Sequence, residues 1–142
     1  MKHDRLFSLD EANMLVPQIE LVMERMQRIG IKIREEIEGL LQERGEEELP
    51  DLSTPELLRL RPSLAPLFEN MAQAVQDIEQ HGCLFKDLEL GLVDFPAQVG
   101  DEEIYLCWQY GEKEIGYFHR QTQGFSDRRP IGEQPAKLRY QQ

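Results

Sequence analysis

The stretch Gly82–Pro130, GCLFKDLELGLVDFPAQVGDEEIYLCWQYGEKEIGYFHRQTQGFSDRRP, decides the fold, because at Gly82 the spacing of apolar residues changes from three and four to two. Alternation predicts strands at Cys83–Lys86, Gly91–Phe95, Glu103–Gln109 and Glu114–His119. Gly100-Asp101 and Tyr110–Lys113 supply turn residues between them, so the last three should form an antiparallel meander. On the third strand Ile104, Leu106 and Trp108 share one face, and Tyr105 and Cys107 the other. One face is expected to meet the helices, the other a partner or the C-terminal loop. The stretch also holds the only Trp and both Cys.

Everything before Gly82 has a helical period. Ser8-Leu-Asp-Glu11 has capping-box spacing, with Phe7 placed as a hydrophobic staple. Ala12, Leu15, Ile19, Val22, Met26, Ile29, Ile33, Ile37 and Leu40 then trace one stripe of a helix of about 30 residues, ended by Gly45. Pro17 inside it predicts a kink, or a short helix over 9–14 followed by a long one. Ser53-Thr-Pro-Glu56 opens a short helix. Ser63 is placed to cap another, whose stripe is Leu64, Leu67, Met71, Val75 and Ile78. The fold class is therefore α+β: a long antiparallel helical hairpin with a kinked first helix, on a small antiparallel sheet of three to four strands. A single domain over 1–142 would comprise the hairpin (6–81), the meander and C-terminal loop (82–131) and a mobile tail (132–142). The first helix outruns its partner, so part of its stripe is expected to be covered by the sheet or by a second chain, making a homodimer through this helix.

Charge narrows the partners. The chain of 142 residues carries a net −11. The last 24 residues hold five basic and two acidic side chains, the preceding 118 eleven and twenty-five. A field of that sign repels nucleic acid and anionic lipid. No stretch approaches the roughly 20 apolar residues that span a bilayer, the N-terminus lacks a signal-peptide core, and two isolated Cys suit reduced thiols. The expected compartment is the cytoplasm.

Chemistry could sit in few places. Asp94 lies on a strand face with Leu92 and Pro96, where a carboxylate needs a partner; His119, Arg128 and Arg129 are the candidates. Three readings stay open for it: an ion pair pinning the C-terminal segment, a ligand-binding or catalytic carboxylate, or exposure at a sheet edge. His119 with Asp94 and Glu114 or Glu112 would make a divalent metal site, although no metal-ligand motif is present and no cofactor is expected. Cys107, in mid-strand, reads as a buried inert thiol. Trp108, Tyr105 and Tyr117 either line a pocket or form core. Arg128 and Arg129, in Gly124–Pro130, could meet an anion or the protein's own acidic groups.

Three stretches, Phe7–Pro17, Lys86–Pro96 and Tyr105–Trp108 continuing through Ile115–His119 to Gly124-Phe125, resemble the uncharacterised family called domain of unknown function family 2203. That family's last strand commonly ends Trp-His; here it is Phe118-His119. The resemblance implies a stand-alone soluble prokaryotic protein and brings no activity with it. It singles out Asp87, Glu89, Asp94, Trp108, His119 and Arg128. Two function classes follow: a non-enzymatic, self-associating interaction module, or a small enzyme or ligand- or metal-binding protein built on Asp94, His119 and Arg128.

Overall fold

Ser8 starts the first helix as its spacing requires. Its Oγ accepts from the Glu11 N–H at 3.0 Å, while its own N–H donates to Glu11 Oε1 at 2.9 Å. In the computed structural model, which describes residue 3 and residues 5–133, helix α1 runs from Leu9 to Arg44. It is one helix of 36 residues through Pro17, about 54 Å long, rather than a short helix followed by a second. Gly45 stops it at φ 67°, with Glu46 N–H closing on the Leu41 carbonyl.

The hairpin is built from three helices, as the two separate helix starts at Ser53 and Ser63 predict. α2 (Thr54–Leu60) is capped by Ser53, and α3 (Leu64–Glu79) packs antiparallel along α1. Ser63 does not cap α3; its hydroxyl donates to Glu36 Oε1 of α1 at 2.8 Å. Arg61 reaches the same region, pairing with Glu36 at 3.1 Å and Glu43 at 2.8 Å. These bonds fasten the α2–α3 elbow to the far half of α1. There Leu40 and Leu64 are buried and Ile33 and Ile37 half-buried, so this chain itself covers much of the stripe expected to need a partner. Arg25 and Asp77 add an ion pair between α1 and α3.

The sheet has five strands rather than three or four, and its order follows the chain: β1 (Leu84–Asp87), β2 (Leu92–Val99), β3 (Glu102–Gln109), β4 (Tyr117–Arg120) and the two-residue β5 (Arg129–Pro130). All neighbours are antiparallel. β2 runs through Pro96 to Val99, longer than alternation suggested. Pro96 is tolerated because β1 pairs only with Leu92–Asp94; beyond that the Pro96 carbonyl takes the Phe7 N–H at 2.7 Å. Short 3₁₀ turns occupy Phe125–Asp127 and Ile131–Glu133. The remainder of the expected mobile tail, 134–142, lies outside the described residues.

Alternation divides the sheet into two chemically different faces. Val93, Phe95, Ala97, Ile104, Leu106, Trp108 and Phe118 join Ala12, Val16, Ile19, Met23 and Met26 of α1 and Ala74 and Ile78 of α3 in one core. Trp108 is fully buried, and its indole N–H donates to the Glu112 carbonyl at 2.9 Å, so burial leaves no polar atom unpaired. Asp94, Tyr105, Cys107, Tyr117 and His119 take the opposite face. Among the described residues no helix is long and apolar enough to cross a membrane.

The start of β2 depends on Gly91, at φ +71°, where an added Cβ would stand 2.6 Å from Tyr110 Cβ. Gly91→Ala should therefore lower the unfolding free energy by at least about 1–2 kcal/mol, the cost of the left-handed conformation alone. Urea denaturation of the two proteins measures it.

Candidate functional site

Two-residue periodicity and strand register assemble the site on the face away from the helices. Asp94 on β2 stands directly opposite Cys107 on β3. His119 on β4 stands opposite Tyr105, two positions along β3 from Cys107 and hence on the same face. The imidazole leans across β3, bringing Nε2 to 3.1 and 3.2 Å from the two Asp94 carboxylate oxygens. Asp94, Cys107 and His119 are 2%, 1% and 3% exposed. One donor atom from each lies within 4.8 Å of the others, and among the described residues this is where three such side chains converge.

The tautomer follows from a backbone contact. His119 Nδ1 lies 2.8 Å from the Arg120 carbonyl, which can only accept, so Nδ1 carries a proton and donates it there. In a neutral ring Nε2 would then present a lone pair to a carboxylate, an arrangement that is repulsive unless a positive species stands between them. Either a proton or a metal cation satisfies the geometry. Burial pushes the imidazole toward neutrality. Hydrogen bonds with Asp94, Cys107 and the Arg120 carbonyl, together with the Asp94 charge, outweigh it and raise the His119 pKa to about 10. Without metal, the pair is imidazolium and carboxylate.

Tyr105 shields this group. Its ring meets His119 edge-on at 5.5 Å, with Lys86 Nζ 5.4 Å from its centroid. Its phenol lies 2.9 Å from His3 Nε2. Burial, then the Asp94 and Glu103 charges, hold the phenol above its usual pKa. Cys83 belongs to the helix-facing core, where burial pushes its thiol up to about 12.

Several expected residues lie elsewhere. Arg128 does not pair with Asp94; its Nη2 binds Glu112 Oε2 at 3.1 Å, because the β3–β4 turn brings that carboxylate nearer. Glu112 is thus taken by Arg128, and Glu114 is exposed, so neither joins His119. Asp87 closes a local turn by accepting from the Leu90 N–H at 2.6 Å, and Glu89 is exposed in that turn. Trp108 points into the helix-facing core. Tyr117 carries Arg128 on its ring, 4.0 Å from the centroid. Arg129 is exposed on β5. Cys107 is the residue that sequence reasoning set aside. Its signal was present: the two-residue loop Gly100-Asp101 makes Val99 face Glu102, and five positions back on each strand Asp94 faces Cys107.

His119 gives this site a pH signature. A raised folded-state pKa contributes stability that is complete below the unfolded value and is lost as pH climbs through the folded one. In chelator-treated protein, unfolding free energy should fall between about pH 6.5 and about pH 10. His119→Gln should flatten that decline in urea titrations across the range.

No curated protein and no solved structure matches the chain. The model of one family, described as Uncharacterized conserved protein (DUF2203), matches residues 5–131. That span takes in α1–α3 and β1–β5, including Asp94, Cys107 and His119. The chain belongs to this uncharacterised family.

Proposed function

We propose that this protein binds one divalent metal cation through Asp94, Cys107 and His119. The observation that carries this reading is the convergence of three donor atoms on one buried point, with Nε2 aimed at both Asp94 oxygens while Nδ1 is tied to a backbone carbonyl. A nucleophilic Cys–His–Asp relay needs the thiol at one ring nitrogen and the carboxylate at the other. Here the Arg120 carbonyl occupies the second nitrogen, which is the outer-shell bond that metal-bound histidines make. The 3.1 Å between His119 Nε2 and Asp94 Oδ2 is close to the about 3.3 Å expected between two donors each about 2 Å from a tetrahedral ion. A divalent ion with a carboxylate, a thiolate and a neutral imidazole is electrically neutral, which lowers the cost of burying it.

Metal analysis of protein purified without chelator should find about one ion per chain. Asp94→Asn, Cys107→Ser and His119→Gln should each reduce that content at least about tenfold in equilibrium dialysis against zinc. Full retention in all three variants would reject the site.

A second reading, self-association through α1, draws on Met14, Leu21 and Ile31, which are 79%, 66% and 51% exposed on that helix. Its occupant would be a second copy of this chain. Sedimentation at tens of micromolar should then show a dimer that Leu21→Glu dissociates; a monodisperse wild-type monomer rejects it.

A further inference from the structure

We propose that the cleft between the N-terminal segment and the α3–β1 turn binds a small oxyanion, the carboxylate or phosphoryl group of a metabolite, with Arg5 as its anchor. This site stands apart from Asp94, Cys107 and His119 and does not depend on a metal being bound there.

Two walls make the cleft. His3 and Arg5 form one and residues 79–84 the other, around a volume of about 400 Å³, which is within the range of small-molecule sites. Three contacts hold Arg5 in place. Its stem lies against Gly82, where an added Cβ would stand 3.0 Å from Arg5 Cβ. Its guanidinium carbon rests 4.0 Å from the centroid of the Phe7 ring, which is itself buried. Nη1 donates to the His81 carbonyl at 2.9 Å. A guanidinium fixed in this way loses less side-chain freedom when it meets a ligand.

What sets Arg5 apart is the partner it lacks. Arg25, Arg61 and Arg128 each fasten the fold through a carboxylate. Arg5, in a chain of net −11, pairs with none among the described residues, so most of its fork is left for two oxygens of a carboxylate or phosphoryl group. The imidazoles of His3 and His81 line the same cleft, and each carries an N–H in any protonation state. His3 engages the Tyr105 phenol through Nε2, which leaves its Nδ1 for a ligand. Negative groups are present too, but the chain's own donors already answer them. Glu79 Oε2 accepts from the Phe85 N–H at 3.3 Å, and the Ile78 and Glu79 carbonyls at the end of α3 accept from the His81 and Gly82 N–H groups. Leu84 adds apolar surface for the short carbon skeleton of a metabolite.

The test uses the full chain, isotopically labelled and chelator-treated, titrated with inorganic phosphate, glycerol 3-phosphate and succinate at constant ionic strength, with sodium chloride as control. Amide resonances of Arg5 and residues 79–84 read the cleft. At least one of the three probes should shift them saturably, and the order of affinity identifies phosphoryl or carboxylate as the preferred group. Arg5→Gln should weaken that probe at least about tenfold. Arg5→Lys, which keeps the charge without the fork, should recover part of the loss. His81→Glu keeps the backbone carbonyl that Arg5 caps and offers the guanidinium a carboxylate of its own, so it should abolish binding; it carries the test if circular dichroism shows Arg5→Gln unfolded. No saturation by any probe, the same shifts with chloride, or unchanged affinity in the folded variants would overturn the proposal. Because the protein is stripped of metal throughout, these outcomes are independent of the metal-binding reading: phosphate or succinate binding should persist in Asp94→Asn, whatever that variant does to zinc.

Discussion

A carboxylate taken out of water must be answered by positive charge within bonding distance, and Asp94 imposes that demand on the whole sheet. Meeting it requires His119, which is available only because β4 pairs with β3 in one register and the Arg120 carbonyl holds the ring in one orientation. A one-residue slip of β4 would turn the imidazole into the helix-facing core and Phe118 onto the polar face. Strand pairing, tautomer and burial are therefore one constraint, expressed at three scales.

Two different solvents, in effect, border the sheet. Against the helices, Trp108, Phe95 and Leu106 meet Ile19, Met23 and Met26, a contact driven by apolar burial and tolerant of small shifts. On the other face the contacts are directional and few. Glu112 joins the two: its backbone carbonyl accepts from Trp108 of the core, and its carboxylate holds both the Gln109 N–H and Arg128. The β3–β4 turn thus ties the position of a core indole to that of a guanidinium beside Cys107.

Much of the fold was legible because local rules carry it. Ser8 and Glu11 declare the start of α1, Gly45 its end, and the change of period at Gly82 the start of the sheet. The readings that failed were those where a distant residue competes with a local one. Ser63 has cap spacing but finds Glu36 across the helix pair. Of the two readings of Pro17, the short helix over 9–14 is the one that fails, because α1 continues through the proline. β5 is too short to announce itself by alternation and exists because Tyr117 and Phe118 offer it partners. At the site, Asp94 was visible as a charge among apolar residues. Pairing it with Cys107 needed only the register set by Gly100-Asp101. The reach of His119 across β3 and the diversion of Arg128 to Glu112 depend on the longer β3–β4 connection, whose path has no two-residue rule behind it.

The bond from Phe7 to Pro96 has a further consequence. β2 is longer than β1, so Pro96 to Val99 would otherwise present a bare strand edge, the kind of surface onto which another polypeptide can add itself. Proline removes one donor from that edge and the N-terminal segment occupies its acceptor. The residues ahead of α1 thus cover part of an edge otherwise open to sheet-to-sheet association, and because Phe7 is also buried in the core, their loss would remove packing together with that cover.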